Sequence, residues 1–272
     1  MILNLKLNNL LLFTFLFSGM FFGFSQNYQI LYKVNFRPIK EKSDYKTEYM
    51  RLEILSKSKS IFYNFINEKD SINTLKGDQT PYLRFTIIQE DKKYNYYGNF
   101  NNLYFVFNEP LKVDWNISNK ISDFSGYKVQ EAKIELDGRK WIALFAPEIP
   151  ITNGLYKFSG LPGLILKIYS EDGDYSFEMI EITKVTSKSF INSFQTSKFI
   201  QLKKKKIETY ISTFLKDPAT QNIKLVNSYG DEFDYNFSGK KDNSYKDMNN
   251  YIIEILGKYN NPIDKKIYLL IF

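Results

Sequence analysis

The sequence predicts a mainly β protein, with α+β as the neighbouring class: an antiparallel sheet or open barrel of short strands and hairpins, with two helices in the C-terminal third. Three observations lead there. The chain has 24 Phe and 21 Tyr among its 272 residues, and flat rings pack well on a pleated surface. From Tyr28 the residues alternate, with Tyr28, Ile30, Tyr32, Val34 and Phe36 on one face and Gln29, Lys33 and Asn35 on the other, which is the period of a half-buried strand. Two Asp-Gly pairs, Asp137-Gly138 and Asp172-Gly173, sit where hairpin turns need residues that tolerate positive φ. With 43% hydrophobic and 25% charged residues, the chain can build a sizeable core.

Taken in order, strands are expected at Tyr28–Phe36, then Tyr49–Leu55, Ser60–Ile66, Tyr82–Gln89, Lys93–Tyr97 and Leu103–Phe107, separated by Gly, Asn and Asp. Folding at Asp137-Gly138 pairs Leu136 with Arg139, Ile134 with Trp141 and Ala132 with Ala143, while Glu135 meets Lys140 on the other face. Apolar partners fall together and opposite charges fall together, as correct register requires. Folding at Asp172-Gly173 pairs Ile168 with Phe177 and Lys167 with Glu178. Further on, Ile200, Ile207, Ile211 and Phe214 form a helical stripe that ends before Pro218. A capping box at Ser244–Asp247 opens a second helix, with Met248, Tyr251, Ile252, Ile255 and Tyr259 on one face and Asn260-Asn261-Pro262 as its stop. Ile223–Val226 and Glu232–Phe237 read as strands between the helices, and the apolar tail Ile267–Phe272 as an edge strand or docked end.

The first 25 residues read as a secretory signal peptide. Lys6 is the only charge before Lys33, an apolar run from Leu10 to Phe17 follows it, and Gly23-Phe24-Ser25-Gln26 offers small residues for cleavage after Ser25. Residues 26–272 are then one β-rich domain in an exported protein, placed in the periplasm or at the outer membrane. No cysteine follows the apolar run to carry a lipid, and no later stretch is apolar enough to span a bilayer. With no Cys and no His at all, disulfides, thiol and imidazole catalysis and the usual zinc sites drop out, and no cofactor or metal is expected. The net charge of +7 falls to about +6 once Lys6 is removed. The export signal argues against a nucleic-acid partner. Lys203-Lys204-Lys205-Lys206 reads as the cap or solvent face of a helix, and weak attraction to anionic lipid or polysaccharide is the more plausible use of the charge.

One segment carries a motif. Ile149-Pro150, Gly154 and Lys157-Phe158-Ser159 lead into Gly160-Leu161-Pro162-Gly163-Leu164-Ile165. The two glycines permit backbone angles barred to other residues, Pro162 fixes φ, and Leu161, Leu164 and Ile165 supply apolar anchors. The segment reads as a rigid turn pinned to the core and feeding a strand. It lacks the Lys-Ser/Thr ending and the following helix of a phosphate loop. This stretch resembles the GLPGLI family, also called the Porphyromonas gingivalis-type family, of exported Bacteroidota proteins. The resemblance extends to Trp115, Tyr127, Ala132, Gly138-Arg139, Trp141, Ala143, Phe145 and, further on, Asn261-Pro262-Ile263. Its firm part covers roughly residues 113–180. Gly154-Leu155 stands where members often carry Gly-Pro, Val129 lies where many have a nearby Cys, and residues 264–272 extend past the usual end.

The resemblance implies an envelope protein of unestablished biochemical role, and the encoding of some relatives beside TonB-dependent receptors makes such a receptor a candidate partner. Besides the motif residues Gly160 to Ile165, the candidate contacts to a ligand or partner are Arg139, Trp141 and Lys157. By register Arg139 lies on an apolar face, where a charge needs either a partner such as Glu148 or an exposed position at the sheet end. Glu171, Asp172 and Asp174 read as an ordinary acidic turn rather than a calcium loop. No catalytic set stands out. The expected function is non-enzymatic binding of a partner or ligand. The alternatives are a glycan hydrolase working with carboxylates alone and a carrier of a hydrophobic ligand.

Overall fold

The computed structural model describes residues 27–65, 82–90, 92–100, 103–110, 112–185, 189–218, 250 and 260–265. The signal peptide, the strands at 223–226 and 232–237, the second helix and the tail 267–272 lie outside these residues, or almost entirely so.

The chain is mainly β, and its described strands form one open sheet. They are β1 (Tyr28–Phe36), β2 (Lys46–Ser56), β3 (Lys59–Asn64), β4 (Thr86–Glu90), β5 (Lys93–Phe100), β6 (Leu103–Pro110), β7 (Asn116–Phe124), β8 (Tyr127–Leu136), β9 (Arg139–Ala146), β10 (Leu164–Ser170), β11 (Tyr175–Lys184) and β12 (Ile200–Gln201). Their order across the sheet is β12-β6-β5-β4-β3-β2-β1-β11-β10-β9-β8-β7. Two antiparallel meanders, β1 to β6 and β7 to β11, therefore join where β1 meets β11. The short β12 runs parallel to β6 at one edge.

Alternation predicts β1 well. Ile30, Tyr32, Val34 and Phe36 are buried, and β1 is paired on both sides, Val34 lying opposite Glu48 of the next strand and Phe177 of the distant β11. The Asp137-Gly138 hairpin has the expected register at every pair, from Leu136 with Arg139 to Ala132 with Ala143. Both turn residues have positive φ, 54° and 79°, as a type I′ turn requires. The second hairpin keeps its register, Lys167 with Glu178 and Ile168 with Phe177, but its turn differs. Among its residues only Gly173 has positive φ, at 75°, and the Gly173 N–H donates to the Ser170 carbonyl at 2.9 Å. This closes the turn one residue earlier than a type I′ turn at Asp172-Gly173 would.

β7 is an element that sequence pattern misses. Its residues, NISNKISDF, are mostly exposed, so no alternation marks it. It exists because β8 offers an open edge, and an irregularity between Ile117 and Ile121 interrupts the pairing. Such breaks and polar residues are how an edge strand avoids further pairing.

The sheet curls so that inward side chains of its two halves meet. Phe62 of β3 lies 6.4 Å from Phe177 of β11, although β2 and β1 stand between their strands in the sheet. The inside is closed by the loop between β9 and β10 and by α1 (Lys204–Lys216), which buries Ile207, Ile211 and Phe214. Ile200 does not join that stripe. It belongs to β12 and is 58% exposed. On the outer face, Phe190 stacks on Tyr63 at 4.0 Å. The buried Glu53 carboxylate pins this cover by accepting from the Ser189 hydroxyl, the Phe190 N–H and the Tyr63 hydroxyl.

The tetralysine run divides on folding. Lys204 turns inward to Glu109 and Asp264, whereas Lys203, Lys205 and Lys206 stay exposed. The helix has no side-chain cap and no acidic residue in its first turn. Cations there oppose the helix dipole at about 0.3–1 kcal/mol each.

Candidate functional site

The loop after β9 doubles back on itself because glycines allow it. A Cβ on Gly154 would lie 1.1 Å from the Phe158 carbonyl oxygen, and the Gly160 N–H donates to the Thr152 carbonyl at 3.1 Å. Within the motif only Gly160 has positive φ, 88°, with open space around it. Gly163 does not share that conformation, contrary to what the sequence pattern implies. It is constrained by space, since a Cβ there would lie 2.3 Å from the Ala146 carbonyl oxygen. Leu161, Leu164 and Ile165 are buried, Gly160 and Pro162 are exposed, and the Trp115 indole N–H donates to the Ser159 carbonyl at 2.9 Å.

This loop carries Lys157 into the middle of the sheet. Its side chain is 1% exposed, and its ammonium is 2.8 Å from Asp137, 3.3 Å from Asp264 and 3.5 Å from Glu109. Four rings surround it, those of Tyr94, Tyr96, Phe107 and Tyr156, at 5.3 to 5.9 Å from their centres. Such faces attract a cation, more so away from water. Tyr156, at a positive φ of 50°, donates its hydroxyl to Asp137 at 2.9 Å. Burial first, then the nearby carboxylates, push the Tyr94, Tyr96 and Tyr156 hydroxyls well above their ordinary range. Lys204 extends the cluster. Burial works to lower its ammonium, but Asp264, Asp137 and Glu109 outweigh this and raise it.

A second cluster adjoins the first. The fully buried Arg139 guanidinium holds Asp172 at 2.6 Å and Asp174 at 3.0 Å. It also donates to the Asn261 side chain at 2.5 Å and the Pro262 carbonyl at 2.8 Å. Arg37 bonds Asp174 from the other side. The partners of Arg139 are thus Asp172 and Asp174, and Glu148 is exposed. Trp141, 1% exposed, packs edge-on against Phe158 at 4.8 Å.

Residues 260–265 tie the two clusters together. Asn261 accepts Tyr175 at its carbonyl and donates to Arg37, Asp264 accepts Lys157 and Lys204, and Lys265 reaches Asp172. Among the described residues the clusters hold five cations, Arg37, Arg139, Lys157, Lys204 and Lys265, and five carboxylates, Glu109, Asp137, Asp172, Asp174 and Asp264. Pairing of opposite charges offsets the cost of burying those that lie inside.

Arg139, Trp141 and Lys157 therefore point inward, and each is engaged by the chain's own residues. Sequence reading overlooked Asp137 and Asn261, taken as turn and helix stop, and Glu109 and Asp264 altogether. The usable signal was Arg139 on an apolar face, which demanded acidic neighbours.

The acid side of the stability curve should report this network. Burial pushes the Asp172 carboxyl up, but the Ser170 hydroxyl, Lys265 and Arg139 outweigh it and hold it at about 2. A depressed carboxylate stabilises the fold above its unfolded value of about 3.9 and loses that contribution as pH falls through its folded value. The melting temperature should drop between about pH 4 and pH 2. Asp172→Asn should melt lower at neutral pH and have a flatter acid limb. Part-exposure of Asp172 keeps the difference modest. Parallel curves for the two proteins would contradict this.

No described helix is long and apolar enough to cross a membrane. No family model matches the chain, and no curated protein does. Solved structures resemble parts of it. PNGF-II aligns with a TM-score of 0.47 at 15% identity over 69% of this chain and 33% of that one, so the chain spans about a third of its length. An uncharacterised conserved protein from Thermus thermophilus gives 0.36 at 9% identity, over 66% of this chain and 92% of that one. A LolA-superfamily protein from Nitrosomonas europaea gives 0.30 at 6%, over 64% and 91%. These likenesses are partial, and nothing about activity follows from them.

Proposed function

We propose that the chain is an exported binding protein of the cell envelope, of the GLPGLI type, that recognises an envelope partner such as a TonB-dependent receptor through its outer surface. The supporting observation is the filled interior. The inside of the curled sheet is occupied by the chain's own rings, among them Tyr32, Phe62, Tyr96, Phe107, Trp141, Phe158 and Phe177, and by paired charges. A carrier of a hydrophobic ligand would need that space for its cargo. A carboxylate hydrolase would need two acids across a cleft, free to exchange protons with a substrate. Asp137, Asp172, Asp174 and Asp264 are each held by Lys or Arg. Recognition is left to the outside, where the motif shows only Gly160 and Pro162.

The test is purification of the tagged chain from cross-linked envelopes of its native host, with mass spectrometry. The expected result is near-stoichiometric recovery of one outer-membrane receptor, retained by Asp172→Asn at neutral pH. Recovery of no envelope protein, or release of reducing ends from envelope polysaccharide by the pure chain, would overturn the proposal.

A further inference from the structure

We infer that the exposed lysines at the start of α1 form a surface that docks on anionic, phosphate-bearing lipid. The run Lys203–Lys206 is split by helical phase. Lys204 serves the interior, and the other three are exposed and bonded to no carboxylate among the described residues. They do not serve the helix either, since its first turn disfavours cations and carries no acid to offset them. Lys203, Lys205 and Lys206 line a shallow open groove of about 550 Å³ together with Thr209, Tyr210 and Thr213. The groove is a platform rather than an enclosed pocket, so it suits a surface better than a small anion. Lysine stems and a tyrosine ring can lie along the acyl boundary while ammonium groups meet phosphates. The core tie of Lys204 and the buried Ile207, Ile211 and Phe214 hold this face rigidly against the sheet.

The test uses the chain from Gln26 on, which contains every described residue, and vesicles of phosphatidylcholine with or without about 30% phosphatidylglycerol. Each lysine near an anionic surface contributes roughly fivefold in binding. The protein should sediment with anionic vesicles and not with neutral ones, and about 0.5 M salt should release it. Reversal of Lys203, Lys205 and Lys206 to Glu should cut binding at least about tenfold. The Lys→Arg triple should keep it, which guards against a variant that fails to fold. Reversing Lys42, Lys120 and Lys140, which are also exposed, changes net charge equally and should cost little. Equal loss in that control would reduce the effect to bulk charge and overturn the proposal. So would undiminished binding by the patch variant, or no binding by wild type. Displacement by inorganic phosphate at matched ionic strength would point to a free-anion site and likewise overturn the lipid surface.

Discussion

Replacing Arg139 by Leu should lower the unfolding free energy by about 3–5 kcal/mol, because it strands buried charges rather than removing a bond. Among the described residues, Asp174, 2% exposed, would keep Arg37 as its only cation, and Asp172 would keep Lys265. The Pro262 carbonyl and the Asn261 side chain would lose their guanidinium donors. Arg139→Lys should recover little, since an ammonium cannot reach four acceptors with the reach and geometry of the guanidinium fork. Urea unfolding measures the loss directly. If Arg139→Leu unfolded within about 1 kcal/mol of wild type, the guanidinium would not be buried among these partners.

Gly163→Val should be as damaging, through space and not through φ. The nearest obstacle to its Cβ is the Ala146 carbonyl, with Pro147 Cα 2.9 Å away. Backbone cannot swing aside as a side-chain tip can, so β10 must separate from β9 at the pair Leu164–Ala146. Gly163→Ala should already be destabilising, which a φ-based account would also allow. The distinguishing variant is Gly160→Ala. It places a Cβ in open space at an unfavourable φ and should cost only on the order of 1 kcal/mol. Leu164→Ala should cost about 2–5 kcal/mol, since Leu164 is wholly buried. Thermal unfolding of the four variants would rank them. A Gly160 variant that melted below the Gly163 variants would reverse the assignment.

Legibility in the sequence followed the range of the interaction. Alternation and turn chemistry are local, so β1 and both hairpin registers could be read directly. β7 could not, because its polar residues bury almost nothing and only an open neighbouring edge makes them a strand. Arg139 was legible as a charge on an apolar face, but neither Glu148 nor an exposed sheet end is its answer. The true partners come from the next hairpin, brought alongside by the β9–β10 pairing that spacing does not reveal. Asn261 and Asp264 lie farther still, Arg139 and Pro262 being 123 positions apart. The tetralysine run looked uniform on paper, and only packing turns one of the four inward.

The junction between β1 and β11 also sets an order of events in time. Tyr28 pairs with Lys184 and Phe36 with Tyr175, and the Arg37–Asp174 bond beside them joins residues 137 positions apart. Each meander can zip locally from its hairpins, but the seam between them must wait for a long loop to close. Such non-local pairing slows folding. A chain emerging from its N-terminus therefore presents β1, with its Ile30, Tyr32 and Val34, as an unpaired edge until β11 arrives. The polar alternate residues Gln29, Lys33 and Asn35 keep that waiting edge from being apolar on both faces. During this interval the protein is most exposed to aggregation.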